Sequence, residues 1–315
     1  MKVVSLFSGC GGLDLGFVKS GFQVVWANDI FADAVATYRQ NLGSHIVDPP
    51  IDQIDSKSIP SSDGVIGGFP CQGFSVANTG RTIDDSRNLL YRQFVRVVKD
   101  KQPMFFLAEN VKGILSLGGG AVFSQIIRDF GAVGFDVRHA VCNAADYGVP
   151  QRRERVFLFG VRRGMRATLS AFPPRPTHSG HRTIFPELLP WVSIGDALKD
   201  LPEPSETCGV LNHTGTAYKI RLNGYLGHRR IDADQPAPTI TARGDERGGV
   251  VIIHHPSNTR RLTVREAAAV QSFPHSFGFA GSNTSSYRQI ANAVPPLLAQ
   301  RIAESILEVF SARTP

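Results

Sequence analysis

Apolar and polar positions change their period along this chain, and the changes divide it. Residues 2–7 (KVVSLF) form a short apolar run that breaks into the glycine-rich FSGCGG, a buried strand and its turn. LDLGFVKSG then sets apolar residues at helical spacing, and Gly21 closes it. FQVVWAND reads as a second strand, DGVIGG at 63–68 as a third and MFFLAENV at 104–111 as a fourth, with an amphipathic helix over 86–99 before the last. A helix over 121–132 leads into DVRHAVCNA, and RVFLFGVR at 155–162 is a further strand. Strands alternating with helices predict an α/β fold, a doubly wound and mostly parallel sheet covered on both faces.

Helical periodicity fades near residue 164, and Pro, Gly, His and Arg become frequent up to about 260. PPRPTHSGHR at 173–182 reads as a linker, and 219–256 as short strands and turns. TVREAAAVQSF at 263–273 is a helix, and 287–310 is a turn followed by a closing helix. The expected division is a large domain over 1–170 plus 286–315, and a smaller, irregular, β-rich domain over 171–285 that holds the helix 263–273 near the hinge. A length of 315 residues suits one large and one smaller domain.

Composition narrows the classes. At 42% hydrophobic and 19% charged residues the chain is globular, not disordered. No stretch approaches the roughly 20 apolar residues of a membrane span, and MKVVSLFSGCGG lacks the long apolar run of a signal peptide. Cys10, Cys71, Cys142 and Cys208 form no CxxC pair, so neither a zinc site nor a disulfide framework is expected, and the cytoplasm is the expected compartment. Charge is uneven. Residues 1–150 hold 13 Lys and Arg against 14 Asp and Glu, whereas 151–315 hold 21 against 13. Of the 34 basic residues 26 are Arg, whose planar fork suits phosphates and guanine edges. A basic half beside a neutral half suggests a polyanionic partner, although a solvated basic surface has the same signature.

Four loops carry candidate chemistry. Phe7–Gly12 ends a strand and opens a helix, the pattern of nucleotide-type cofactor binding, and Asp29 lies 18 residues past Gly11, near the place of an acid on ribose hydroxyls. That pair alone does not separate NAD, FAD and S-adenosylmethionine. Cys71 lies in GGFPCQGFS (67–75), a Gly/Pro loop directly after an apolar strand, at the sheet edge where ligands bind. A reactive thiol needs such a partly open setting. Glu109 follows the apolar MFFLA, where desolvation raises a carboxyl's pKa and favours a proton-donating form. In QRRER (151–155), alternation sets Arg153 and Arg155 on one face.

Taken together these segments resemble the DNA cytosine-5 methyltransferases. The matches run in order as FSGCGG (7–12), GGFPCQGFS (67–75), AENV (108–111), NAADYGVPQRRERVFLFG (143–160), RRLTVREAAAVQSFP (260–274) and YRQIANAV (287–294). They cover most of the chain, and the short bacterial restriction–modification enzymes, including those that methylate GGCC, look closest. The resemblance implies that Cys71 adds to C6 of a cytosine, that Glu109 contacts N3 and the exocyclic amine, and that Arg155, with Arg153 behind it, steadies the base carbonyl. Asn110 would brace the Cys71 loop. The implied cofactor is S-adenosyl-L-methionine, with Phe7, Ser8, Gly9, Gly11 and Gly12 lining the methionine side, Asp29 on the ribose, Ile30 on adenine, and Pro70, Leu90 and Asn292 as further contacts.

The implied substrate is double-stranded DNA, from which the target base is extruded into the pocket. Gln72, Ser75, Thr79 and Arg81 are the expected DNA contacts of the loop after Cys71. Residues 165–260 correspond to the target-recognition region, with Thr239–Ile240 as its Thr-plus-aliphatic signature, Thr239 as an expected DNA contact, and Arg229, Arg230, Arg243 and Arg247 as phosphate or guanine contacts. A monomer is expected, nucleoid-associated, with a cognate restriction endonuclease as functional partner. Three positions depart from the family: Pro50 stands where many relatives carry an acid on the adenine amine, Ala291 precedes Asn292 where glycine is usual, and Asn88 also replaces a common glycine. A tRNA cytosine-5 methyltransferase, a non-catalytic DNA-binding relative and an NAD-dependent oxidoreductase are the rival readings. The first lacks its usual Cys-Phe-Thr segment here, the second would have lost Cys71, Glu109 or Arg155, and the third leaves PCQ, ENV and QRRER unexplained.

Overall fold

The computed structural model of the chain describes all residues except 71–89, 168, 181–186, 216–221, 223–228, 243–252 and 312–315. Cys71, Gln72, Ser75, Thr79, Arg81, Asn88, Arg243 and Arg247 therefore lie outside the described residues.

Seven strands form one sheet: β1 (Lys2–Leu6), β2 (Gln23–Asn28), β3 (Ile46–Val47), β4 (Gly64–Gly67), β5 (Phe105–Val111), β6 (Phe135–Asn143) and β7 (Glu154–Arg162). Their order is β3-β2-β1-β4-β5-β7-β6. The first five are mutually parallel, and β7 runs antiparallel to both β5 and β6. The antiparallel edge departs from simple strand–helix alternation. No α-helix lies between β6 and β7, so the chain turns back through a 3-10 segment (Ala144–Tyr147) and β7 enters the sheet reversed. The class stays doubly wound and mostly parallel.

Successive strand residues point to opposite faces, which gives two cores. On one face Val3, Ile66, Phe105, Leu107, Phe157 and Phe159 pack under helices α1 (Gly12–Lys19) and α8 (Pro296–Ser311). On the other, Val4, Val65, Phe106, Ala108 and Leu158 meet α3 (Leu90–Lys101) and α4 (Ala121–Ala132). Helix α2 (Ala32–Asn41) covers the β2–β3 edge. The amphipathic segment read as 86–99 is thus a helix over 90–101.

The remaining described residues gather around a third core with little regular structure. It joins Ile194 and Leu198 of α5 (Ile194–Leu198), Ile231, Ala237 and Ile240, the alanines of α6 (Val264–Val270) and Ile290 of α7 (Asn283–Asn292). Among the described residues between 171 and 285, β structure amounts to the two-residue strands β8 (His178–Ser179) and β9 (Leu189–Pro190) and to isolated bridges. The sequence reading of a helix over 263–273 shortens to 264–270, because Thr263 caps it and Ser272 turns to φ 64°. The segment read as a turn and closing helix holds two helices, α7 and α8. Ser282 starts α7 by capping the Ser285 N–H, a signal upstream of the YRQIANAV segment.

Candidate active site

Strand ends β1, β2, β4 and β5 open at the same edge of the sheet, and the candidate residues sit there. The turn after β1 is built on left-handed backbone: Phe7 has φ 54°, Gly9 φ 55° and Gly11 φ 90°. A non-glycine residue in that region is strained, and such strain gathers at ligand sites. The Ser8 N–H and hydroxyl both donate to the Asn28 carbonyl, fixing the turn against the end of β2. Asp29 completes the arrangement. Its Oδ2 accepts from the Gly9 N–H at 2.8 Å and its Oδ1 from the Phe31 N–H at 2.8 Å. Burial pushes its carboxyl pKa up, against those backbone donors. Each oxygen keeps lone-pair capacity for a further donor.

Next to Asp29 the surface turns apolar. Ile30 is 67% exposed, unusual for so large an aliphatic group, and Pro49 and Pro50 are exposed beside it as the chain leaves β3. Of the acids near Pro50, Asp48 turns to Arg39 at 3.7 Å and Asp52 is exposed in the 3-10 segment that follows. Leu90 is half-buried at the start of α3, and Asn292, the last residue of α7, is exposed. An open apolar ledge, a carboxylate with spare acceptor capacity and a glycine turn suit a ligand with an adenosine-like end. Gly12, buried at the start of α1, and Pro70, half-buried just before the undescribed segment, flank this edge.

Between β5 and β7 lies the charged centre. The antiparallel register sets Glu109 opposite Phe157 and Val111 opposite Arg155, so the two side chains reach the same end of the sheet. Arg155 Nε stands 2.9 Å from Glu109 Oε1, with both side chains nearly buried. Burial pushes the Glu109 carboxyl above the usual range, and the Arg155 and Arg153 guanidiniums oppose it. Glu109 also faces the strand that precedes Cys71: a side chain at Gly68 would stand 2.8 Å from Glu109 Oε2. Asn110 donates from Nδ2 to the Phe69 carbonyl at 3.0 Å, two residues before Cys71, and so ties β5 to that loop's root.

Arg153 differs from Arg155. It is fully buried, and its guanidinium donates to the carbonyls of Ile240 (3.0 Å), Ala291 (2.6 Å) and Ala293 (3.0 Å). The alanine in place of the family's glycine lies inside α7, where helical backbone admits a methyl group. Thr239, expected to meet DNA, donates its hydroxyl to the Arg152 carbonyl at 2.7 Å, while Arg229 and Arg230 are exposed. Sequence reasoning missed Gln151 and Gln271, both fully buried and both inside segments read for other residues. A polar residue directly after the alanine-rich 264–270 helix was the available signal for Gln271.

Among the described residues no group of His, Cys, Asp and Glu could hold a metal ion, and no helix is long and apolar enough to cross a membrane.

Comparison with known proteins identifies the family and the fold. The family model for C-5 cytosine-specific DNA methylase matches residues 1–237 and 223–308. The chain is 39% identical to the type II methyltransferase M.NgoFVII of Neisseria gonorrhoeae, over 98% of this chain and 87% of that protein. It is 37% identical to M.BsuRI of Bacillus subtilis, over 97% of this chain and 79% of that protein. Among solved structures, a protein encoded within an E. coli prophage and described as a DNA modification methyltransferase superposes with a TM-score of 0.79 at 28% identity, covering 98% and 99% of the two chains. The Dnmt2 methyltransferase of S. pombe shares the fold, with a TM-score of 0.69 at 18% identity over 98% of each chain. The family and the fold imply a methyl donor of the S-adenosylmethionine type. This chain belongs to the C-5 cytosine-specific DNA methylase family and is a DNA cytosine-5 methyltransferase of the restriction–modification type.

Proposed function

We propose that the chain methylates C5 of a cytosine flipped out of a short, specific duplex sequence, through a covalent bond between Cys71 and C6. The observation that carries this reading is the Glu109–Arg155 pair at 2.9 Å, buried at the sheet edge from which the Cys71 loop departs. Glu109, whose carboxyl burial pushes above the usual range against the two guanidiniums, shares a proton with N3 and draws electron density from the ring. The Cys71 thiolate then attacks C6, forming an S–C6 bond and moving the ring's electron pair towards C5. S-adenosylmethionine, when bound, would supply the electrophilic methyl group to that carbon, its sulfur keeping the electron pair of the broken S–CH3 bond as S-adenosylhomocysteine. Loss of the C5 proton to solvent re-forms the C5–C6 double bond and expels the thiolate. Arg155 holds the base carbonyl, and Arg153 fixes the backbone behind it.

In this reading Phe7, Ser8, Gly9, Gly11 and Gly12 cradle the methionine end of the cofactor, Asp29 takes the ribose hydroxyls, and adenine rests on Ile30. Pro70, Leu90 and Asn292 close the sides. Residues 1–170 and 286–315 form the catalytic part and 171–285 the recognition part, in which Arg229, Arg230, Arg243 and Arg247 meet DNA along with Gln72, Ser75, Thr79 and Arg81 of the catalytic loop. Thr239 serves there as a brace, since its hydroxyl is already engaged. The enzyme acts as a cytoplasmic monomer that protects host DNA from a cognate endonuclease.

Bisulfite sequencing of plasmid DNA from cells expressing the chain, beside a Cys71→Ala control, tests this. The expected result is methylcytosine at one short motif, absent from the control. Methylation that survives in the control overturns the covalent mechanism, and soluble wild-type protein without DNA methylcytosine overturns the substrate.

A further inference from the structure

One buried carboxyl directly behind the glycine turn has no part in the chemistry proposed above. Asp14 lies in the first turn of α1, two residues after Gly12, and is completely buried. Its Oδ1 accepts from the Ser5 hydroxyl on β1 at 2.7 Å, and its Oδ2 accepts from the Tyr38 hydroxyl on α2 at 2.8 Å. The Tyr38 ring lies against the turn itself, since a side chain at Gly11 would meet its Cδ2 at 3.0 Å. Three of the elements that shape the cofactor edge thus converge on one carboxyl.

The titratable groups facing Asp14 are Asp29 after β2, Cys10 in the turn, Tyr38 on α2 and, beyond Tyr38, His45 ahead of β3. The stretch from Val294 to Gln300, which packs on Gly12 and Gly16 of α1, is uncharged. Burial pushes the Cys10 thiol and the Tyr38 hydroxyl up and the His45 imidazole down, so all three are neutral at neutral pH. The two carboxyls are left to carry charge, and among the described residues no cation pairs with Asp14.

Asp14 still has a route for its proton. The Tyr38 oxygen also meets Nε2 of half-buried His45 at 3.0 Å. Tyr38 has one hydrogen to give, so the chain Asp14–Tyr38–His45 runs in two directions. The hydroxyl turns to Asp14 when the carboxyl is ionised and to His45 when the carboxyl is protonated. Burial raises the pKa of Asp14 from 3.8 to about 6, and Asp29 adds to the rise. An asparagine would make the same two hydrogen bonds with no charge to bury. A carboxylate kept there without a resident cation suits a cation that comes and goes. S-adenosylmethionine has that charge, because its sulfonium and ammonium exceed its carboxylate by one. S-adenosylhomocysteine, left after the methyl group has gone, is neutral overall.

We infer that Asp14 discriminates between the two by charge: its carboxylate, set behind the turn Phe7–Gly12, makes this edge hold the cationic methyl donor more tightly than the neutral product. This rests on the reading proposed above, in which that turn cradles the methionine end. Methyl transfer removes the charge that Asp14 attracts, and so favours exchange of product for fresh donor. Burial leaves the interaction little screened by salt. The preference needs the ionised carboxyl, so it is weak at pH 5 and complete above about pH 7. By the same linkage, binding of the donor near pH 6 releases more protons than binding of the product.

The test is calorimetric titration of the full chain, without DNA so that no methyl group is transferred, from pH 5 to pH 8. S-adenosylmethionine and S-adenosylhomocysteine are the titrants, in two buffers of different ionisation enthalpy, which gives Kd and the protons exchanged. Wild type, Asp14→Asn and Tyr38→Phe are compared. In wild type the ratio of the product's Kd to the donor's should rise by about threefold or more between pH 5 and pH 7. Asp14→Asn should lose that rise. Tyr38→Phe removes one donor to the carboxylate, so it should move the rise to higher pH. A wild-type ratio that is flat with pH, with equal proton release for the two ligands, overturns the inference. A rise of the same size in Asp14→Asn assigns the effect to Asp29 and also overturns it. Equal weakening of both ligands in Asp14→Asn, with the ratio and its rise kept, leaves Asp14 a structural brace. If Asp14→Asn does not fold, an unshifted rise in folded Tyr38→Phe overturns the inference. Wild type that binds neither ligand fails the proposed cofactor reading itself, and the inference with it.

Discussion

The candidate catalytic edge and the flank around 211–277 solve the same problem with different means. At the edge, strands place the functional groups. Glu109, Asn110 and Arg155 stand where the β5–β7 register puts them, and Asp29 where β2 ends. On the flank there is almost no ladder among the described residues, and buried and half-buried polar side chains hold the backbone instead. Asn258 grips Ile231 from both sides of its amide, Arg265 donates to the carbonyls of Leu211, Pro274 and Phe277, and Arg260 forks onto Glu266. A sheet tolerates many side chains at a given backbone position; a side-chain scaffold does not. The first region should therefore lose chemistry when a polar group is changed, and the second should lose structure.

The largest effect falls at the edge. Glu109→Gln keeps shape and removes the carboxyl proposed above to share its proton with N3. Turnover should drop by about 10²- to 10⁴-fold, the usual contribution of a positioned acid. The Kd for S-adenosylhomocysteine and the Tm should change little, since β5 and β7 keep their backbone bonds. Single-turnover methylation beside calorimetric cofactor binding measures this; an equal loss in both would mean that Glu109 is a scaffold residue after all.

The converse test is on the flank. Glu266 is 2% exposed in its side chain and accepts from Arg260 at 2.7 and 2.8 Å, from the Thr263 N–H at 2.7 Å, and stands 3.8 Å from His255. These donors hold its carboxyl below the usual range despite burial. Arg260→Met leaves a buried carboxylate short of its main partner, which costs about 3 kcal/mol. Urea unfolding should show that loss, with cofactor affinity near wild type. Stability within about 0.5 kcal/mol of wild type, the range of an ordinary surface change, would break the contrast between the regions.

The same contrast explains what could be read from the chain alone. Glycine turns, apolar runs and the acid after MFFLA are local, so the strands, and the placement of Asp29 and Glu109 at strand ends, were legible. The antiparallel return of β7 was not, because nothing in RVFLFGVR marks direction. Gln151 and Gln271 were illegible for a different reason: their meaning lies in each other, 120 residues apart. Thr239 was read as a DNA contact from its place in a motif, while its hydroxyl is engaged by a carbonyl that the sequence does not reveal. Regions built on side-chain scaffolds hide their logic in pairs.

One group blurs the division, and pH exposes it. Asp14 lies at the start of α1, fully buried, accepting from the Ser5 hydroxyl at 2.7 Å and the Tyr38 hydroxyl at 2.8 Å. The Tyr38 oxygen in turn meets His45 Nε2 at 3.0 Å. No cation pairs with this carboxyl among the described contacts, and burial raises its pKa from 3.8 to about 6 against the two hydroxyl donors, with Asp29 adding to the rise. A folded pKa above the unfolded one means that the folded state holds the proton more tightly. The stability this confers is complete below pH 4 and disappears as pH rises through about 6. At neutral pH the ionised, buried Asp14 costs on the order of 3 kcal/mol. Asp14→Asn keeps both hydrogen bonds, with Ser5 turned to accept, and has no titration. The stability of wild type relative to Asp14→Asn should therefore fall between pH 4 and pH 6 and stay level above it. Urea unfolding of both proteins at intervals across that range measures the difference. A difference that is flat with pH would show that Asp14 titrates as an ordinary carboxyl, and the sheet half would then hold its buried carboxyl at as little cost as the flank holds Glu266.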